Sequence, residues 1–228
     1  MDLIVRTVVA DIPSEKIGYF VLIVEEKLLV KEYGMNKPII LAICGKSATG
    51  KDSLAKWLYE DLLAREKSVT NIVSHTSRPK RLGENDGQNY IFISKKQFLI
   101  NAINQKYLEY TRFRDWYYGT PKNSINCNIN IGVFNVDGLI SLYKYKKEYT
   151  IIPIYLEDNF FIRLKRSKDR ENKYRLEHFR RAFVDFKDFI NIKKILQNFE
   201  YSIIIKDTDG VLRKTNLIEK YLQDIGVI

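Results

Sequence analysis

The segment that most constrains this chain spans residues 39–62. Six unbroken apolar residues, Ile39-Ile-Leu-Ala-Ile-Cys44, run straight into Gly45-Lys-Ser-Ala-Thr-Gly50-Lys51. Beyond them Leu54, Trp57, Leu58 and Leu62 recur at helical spacing. A continuous apolar run of this kind fits a strand covered on both faces, the position strands take inside a parallel sheet. Strand, glycine loop and helix together form an anion cradle. The glycines let the backbone curl so that several N–H groups point inward, and the helix start adds partial positive charge. The spacing Gly-x4-Gly-Lys is that of a P-loop, and the strand–loop–helix context is what the motif requires. Gly45, Lys46, Ser47, Ala48, Thr49, Gly50 and Lys51 are therefore expected to hold a nucleoside triphosphate, read as ATP, with Lys51 on its β- and γ-phosphates. An ordinary glycine turn before a helix is the competing reading, and it leaves Lys51 unexplained.

One position departs from the pattern. The residue after the lysine is usually Ser or Thr, whose hydroxyl holds Mg²⁺. Here it is Asp52, followed by Ser53. An acid beside a triphosphate repels it unless a cation lies between them. Mg²⁺ is thus expected at Asp52 or Ser53.

The rest of the chain alternates in the same way. Thr70–Val73, Tyr90–Ile93, Ile131–Val136, Thr150–Leu156 and Tyr201–Ile205 read as strands separated by helix-compatible segments. This predicts an α/β fold with a parallel sheet flanked by helices. Ser94-Lys-Lys-Gln97 has the form of a helix capping box. Residues 1–37 read as a β extension, with strands at Leu3–Val9 and Ile17–Val24 and a third candidate at Leu28–Tyr33, ahead of a break at Gly34–Pro38. This extension either covers a sheet edge or builds a homo-oligomer interface.

Residues 74–93 carry a second anion-gripping pattern: Ser-His-Thr-Ser-Arg-Pro-Lys-Arg-Leu-Gly-Glu-Asn-Asp-Gly-Gln-Asn-Tyr-Ile-Phe-Ile. Arg78 and Arg81 lie three apart in a loop flanked by Pro79 and Gly83, where two guanidinium forks can grip one phosphate. Tyr90 can donate its hydroxyl to the same group. A basic surface loop is the bland alternative. Thr76, Ser77, Arg78, Arg81, Glu84, Gly87, Tyr90 and Phe92, however, fill every fixed position of the signature of the guanylate kinase family, which the chain resembles over about 39–225. That resemblance implies a P-loop kinase core at 38–228, an inserted monophosphate-binding subdomain at 74–120 and a helical lid at 158–182. It implies that Ser74, Arg78, Arg81, Tyr90 and Tyr118 hold a monophosphate, and that Glu109 and Thr120, with Gly119 and Asn135 nearby, meet the guanine. The chemistry agrees: a carboxylate accepts from guanine N1–H and N2–H₂, which adenine does not offer. Asn135 stands where the family has the first Asp of an Asp-x-Asp strand, so Asp137 joins Asp52 and Ser53 as a candidate Mg²⁺ ligand. Lys206 stands where an Asn is common.

Residues 163–181 hold nine basic side chains against three acidic ones, in a chain whose formal net charge is +10. They fall where the family has its arginine-bearing lid. Arg166 and Arg170 are four apart and share a helix face; with Arg181 they are the expected catalytic arginines, beside Lys51 and Arg78. The implied activity is ATP-dependent phosphorylation of GMP or dGMP. The alternatives are a deoxynucleoside monophosphate kinase of different or broader base range and a non-catalytic module that binds phosphorylated peptides. A nucleic-acid binder would spread its charge as a stripe with interleaved aromatics, so nucleic acid is not the expected partner.

Composition sets the remaining bounds. Hydrophobic residues make up 45% and charged residues 29%, which excludes disorder for the chain as a whole. Two cysteines, Cys44 and Cys127, exclude a disulfide framework. The apolar run Ile17–Val24 is far too short to span a bilayer, and the start has no signal-peptide pattern. The expected setting is the cytoplasm, with nucleotides as partners and no membrane. Trp57, Trp116, His75 and His178 are expected to serve packing or surface.

Overall fold

A computed structural model describes residues 6–10, 37–80, 84–88, 90–113, 115–171, 189–206 and 211–228. The buried run predicted from sequence is strand β2, Ile39–Gly45, with every residue buried. It lies at the heart of a six-stranded, all-parallel sheet. In the order of that sheet the strands are β1 (Arg6–Ala10), β10 (Tyr201–Lys206), β9 (Thr150–Glu157), β2, β8 (Ile129–Val133) and β3 (Val69–Asn71). Leu41, Ile43, Ile152 and Ile154 point to one face, where helix α1 (Lys51–Ala64) lays Leu54, Leu58 and Leu62 against them. Ile40, Ala42, Ile151 and Tyr155 point to the other, with helix α3 (Val136–Leu142) and helix α5 (Ile192–Leu196). This two-sided burial is why the strand sequences read as apolar runs and not as alternations.

A second, four-stranded sheet stands beyond the first. Its order is β5 (Tyr90–Phe92), β4 (Ser74–Thr76), β7 (Trp116–Pro121) and β6 (Tyr107–Phe113). β4 and β5 run parallel, whereas β7 is antiparallel to both β4 and β6. Helix α2 (Lys95–Ile103) covers it, and Phe98 stacks between Tyr107 and Tyr117. Ser94 caps α2 by accepting from the Gln97 amide, while the Gln97 side chain turns to Asn101, so only half of the expected box forms. Helix α4 (Phe160–Glu171) follows β9, and helix α6 (Val211–Asp224) closes the described chain.

Two sequence expectations change. Asn135 and Asp137 are not on a strand. β8 ends at Val133, and the Asn135 side chain accepts from the Gly138 amide at 2.7 Å, starting α3. An Asn at this position offers the helix its first acceptor. Of the N-terminal β extension, the described part is Arg6–Ala10, which pairs in parallel with β10 and is the outermost strand of the main sheet among the described residues. The strands expected at Ile17–Val24 and Leu28–Tyr33 lie outside the described residues.

Candidate active site

The phosphate loop connects β2 to α1. Gly50 takes φ 86° as it enters α1, and Ala48 holds φ 64°, a left-handed conformation that costs a Cβ-bearing residue roughly 1–2 kcal/mol. Gly45 is required by space: a Cβ there would lie 2.8 Å from the Leu156 carbonyl oxygen and 2.9 Å from Thr49 Oγ1. Thr49 is buried and donates to the Lys46 carbonyl at 2.9 Å. The Lys51 ammonium donates to the carbonyls of Gly45 (2.8 Å) and Lys46 (2.9 Å), so it sits folded over the loop it is expected to serve. Asp52 and Ser53 stand exposed on the first turn of α1, beside Lys51. Cys44, just before the loop, is fully buried, and burial raises its thiol pKa to about 12, so it stays protonated and inert.

The small sheet carries the monophosphate signature. Thr76 and Ser77 clamp β4 to β7 through the Tyr117 backbone. The Thr76 hydroxyl also accepts from the Arg78 amide, which fixes the start of the arginine loop. Arg78 is 5% exposed. Its guanidinium donates to both oxygens of Glu84, at 2.9 and 2.8 Å, and lies within 5.6 Å of the centres of the Tyr90 and Phe92 rings. Glu84 is thus the partner that aims the arginine, a role the spacing of the signature did not reveal. Tyr118 packs edge-on against Tyr90 and also interacts with Arg78. Ser74 sits opposite Tyr90 in the β4–β5 register. Arg81 lies outside the described residues.

The two patches are close enough to interact. Burial pushes the Tyr90 hydroxyl up to about 12, and the next contribution is the negative charge of Asp52. A residue of the phosphate loop's helix therefore lies within electrostatic reach of the monophosphate patch.

Glu109 is on strand β6, not at a helix end. Its register partner Thr120 donates to its Oε1 at 2.6 Å. Burial raises the carboxyl above the ordinary range, partly offset by the bonds from Thr120. The other oxygen, Oε2, lies 3.2 Å from where a Gly138 Cβ would stand, and Asn135 Oδ1 lies 3.0 Å from that point. Glu109 and Asn135 thus converge on Gly138, where a Cβ would make both side chains give by a few tenths of an ångström. Gly119 is packed beneath Phe98 and Tyr110, and Asp137 is exposed on the first turn of α3.

The lid arginines divide. Arg163, buried at 6% exposure, donates to the Ser47 carbonyl of the phosphate loop at 3.3 Å. Arg166 bonds Asp158, whose side chain is 1% exposed and which also accepts from Lys214 at 3.0 Å. Arg170 belongs to α4 by backbone, while Arg181 and His178 lie outside the described residues. Sequence reasoning passed over Arg163, Asp158 and Lys214. A signal for the last existed: Lys214 shares the buried face of α6 with Thr215, Ile218 and Leu222.

The sequence profile of the family described as "Guanylate kinase" matches residues 35–223. This chain belongs to the guanylate kinase family. The kinase is 29% identical over 201 residues to the guanylate kinase of Thermotoga maritima, covering 82% of this chain and 95% of that one. It is 31% identical over 189 residues to the guanylate kinase of Wigglesworthia glossinidia brevipalpis, covering 81% and 88%. Its fold matches the crystal structure of guanylate kinase from Anaplasma phagocytophilum with a TM-score of 0.57 at 17% identity, over 83% of this chain and 88% of that one. The family makes it an enzyme, a nucleoside monophosphate kinase. Among the described residues, no helix is long and apolar enough to cross a membrane.

Proposed function

We propose that this kinase transfers the γ-phosphoryl of ATP to GMP or dGMP by direct in-line displacement. The observation that carries the base assignment is the half-buried Glu109 held by the buried Thr120, on the same small sheet as Tyr90 and Tyr118 and next to Arg78. A carboxylate held there accepts from two guanine N–H groups, and a base lacking them leaves it without those donors in a partly desolvated site. Ser74, Arg78, Arg81, Tyr90 and Tyr118 hold the acceptor phosphate, with Glu84 aiming Arg78. Residues 45–51 hold the triphosphate. Arg163 joins Arg166, Arg170 and Arg181 as a lid arginine, because it already reaches the phosphate loop. In domain terms, 1–37 is an extension and 38–228 the kinase domain, with 74–120 the acceptor subdomain and 158–182 the lid.

No general base is required, since the attacking phosphate oxygen is anionic at neutral pH. The chain's own work is positioning and charge neutralisation. Lid closure excludes the water that would hydrolyse ATP. The donor set fits Mg²⁺: Asp52 and Ser53 offer exposed hard oxygens beside the loop, and among the described residues no cluster of three or more His, Cys, Asp or Glu forms a dedicated cage. Mg²⁺ is commonly held by one or two carboxylates with substrate phosphates. When bound, it neutralises charge on the phosphates; Asp52 and Ser53 are the residues to hold it, with Asp137 a further candidate from α3.

A coupled ADP-release assay with Mg-ATP and the eight common ribo- and deoxyribo-monophosphates tests the reading. Turnover is expected with GMP, dGMP or both. Preference for an adenine or pyrimidine acceptor overturns the assignment of Glu109.

A further inference from the structure

Every strand of the main sheet is parallel, so their amino-terminal ends gather on the edge opposite the phosphate loop. A cleft of about 400 Å³ opens there, between the starts of β9 and β10 and the residue leading into β2. That volume is within the range of small-ligand sites. It lies roughly 20 Å from the phosphate loop, the length of β2 at about 3.3 Å per residue.

The lining is unusual for a leftover surface. Tyr143, Tyr149, Phe199 and Tyr201 supply rings, and Lys37 and Lys146 supply positive charge. Residues 143–149 read Tyr-Lys-Tyr-Lys-Lys-Glu-Tyr, an interleaving of aromatic and basic side chains. Tyr143 is braced edge-on by Phe199 at 5.3 Å, and Lys146 lies 4.2 Å from the centre of the Tyr143 ring. The hydroxyls of Tyr149 and Tyr201, already protonated at neutral pH, are raised further by burial and can donate. Asn198 adds an amide with both donor and acceptor. The one acid of the lining, Glu200, interacts with Tyr201. Two lysines against one glutamate leave a single net positive charge, which suits one phosphate better than three.

We propose that this cleft is a second site for a nucleotide unit, with the base against the tyrosine rings and the phosphate between Lys37 and Lys146. Flat rings take a base of any sequence by stacking. Lysines take phosphate as mobile point charges, and Asn198 pairs with the base edge. The unit can come from a free nucleoside monophosphate or from a single-stranded nucleic acid, since both present the same base and phosphate.

Two probes separate these sources, using the full chain with its substrate sites filled by a bisubstrate analogue in which adenosine and guanosine are joined through five phosphates. Equilibrium dialysis reads labelled GMP; fluorescence anisotropy reads a labelled eight-nucleotide single strand. One further equivalent of GMP, or strand binding, is expected. Either should weaken at least tenfold in the double variant Lys37→Gln/Lys146→Gln and in Tyr143→Ala, with kcat/KM for the kinase reaction unchanged within twofold. GMP binding alone assigns a free metabolite, strand binding alone a nucleic acid, and each upholds the site. Binding of neither probe, or binding undiminished in the double variant, overturns it. Both lysines are exposed, so the double variant is expected to fold. The lysine variants, not turnover, decide the outcome, which keeps this test separate from that of the kinase reading.

Discussion

Replacing Lys214 by Met removes a cation from a carboxylate that water scarcely reaches. Asp158 leaves 1% of its side chain exposed and Lys214 7%, and the Lys214 ammonium donates to both Asp158 oxygens, at 3.0 and 3.3 Å. Breaking a buried ion pair by deleting one partner costs about 3–5 kcal/mol, mostly because the other charge stays buried. Arg166 remains on Asp158, but it is 41% exposed and contacts one of the two oxygens, so the low end, about 3 kcal/mol, is expected. In a chain of this size that corresponds to a fall in Tm of roughly 6–12 °C. Thermal unfolding followed by circular dichroism, together with urea midpoints at neutral pH, measures it. The double variant Asp158→Asn/Lys214→Met should lose less than the two single losses added together, because no charge is then left buried alone. A Tm change below 2 °C for Lys214→Met, or fully additive losses in the double variant, would refute the argument that this pair is energetically coupled.

Three further outcomes follow from the site. Lys51→Ala should lower kcat/KM by at least a hundredfold through loss of a transition-state charge contact; near-normal turnover sinks that role. Burial raises Glu109 in the folded protein, so the native state binds this proton more tightly than the unfolded chain. Its contribution to stability is complete below the unfolded value, roughly 4.3, and is lost as pH rises through the higher folded value. The urea midpoint of Glu109→Gln relative to the parent should therefore improve as pH climbs through that window, while KM for GMP in the parent rises as the carboxylate protonates on acidification. Gly45→Ala places a Cβ 2.8 Å from a backbone oxygen, whereas at Gly226, φ 72°, a Cβ meets nothing within 4 Å. The first should cost about 1–3 kcal/mol and most of the activity; the second, about 1 kcal/mol of backbone strain and no activity.

The phosphate loop was legible because its whole logic is local: apolar run, glycines, lysine and helix face are contiguous in the chain. The arginine signature was legible for the same reason, although the pairing of Glu84 with Arg78 was not. The small mixed sheet was legible only through its strand at 90–92. Ser74–Thr76 is only three residues long, and Tyr107–Phe113 mixes aromatic, acidic and basic side chains because one face packs on α2 while Glu109 turns toward α3. Asn135 was misplaced on a strand because an apolar run, Ile131–Val136, continues past the point where its own side chain starts a helix. Arg163 and the Asp158–Lys214 pair escaped because they are contacts between segments far apart in sequence, and a run of nine basic residues does not say which one reaches the loop.

Strand β1 has a consequence for synthesis. Arg6 pairs with Tyr201 and Ala10 with Ile205, so this strand must wait for one made about 195 residues later. At about 5–20 residues per second on the ribosome, that delay is roughly 10–40 s. During it the ladder between this Val-rich segment and β10 cannot close. Truncated nascent chains ending before residue 200 should therefore leave Arg6–Ala10 open to protease, and release of the full chain should protect it.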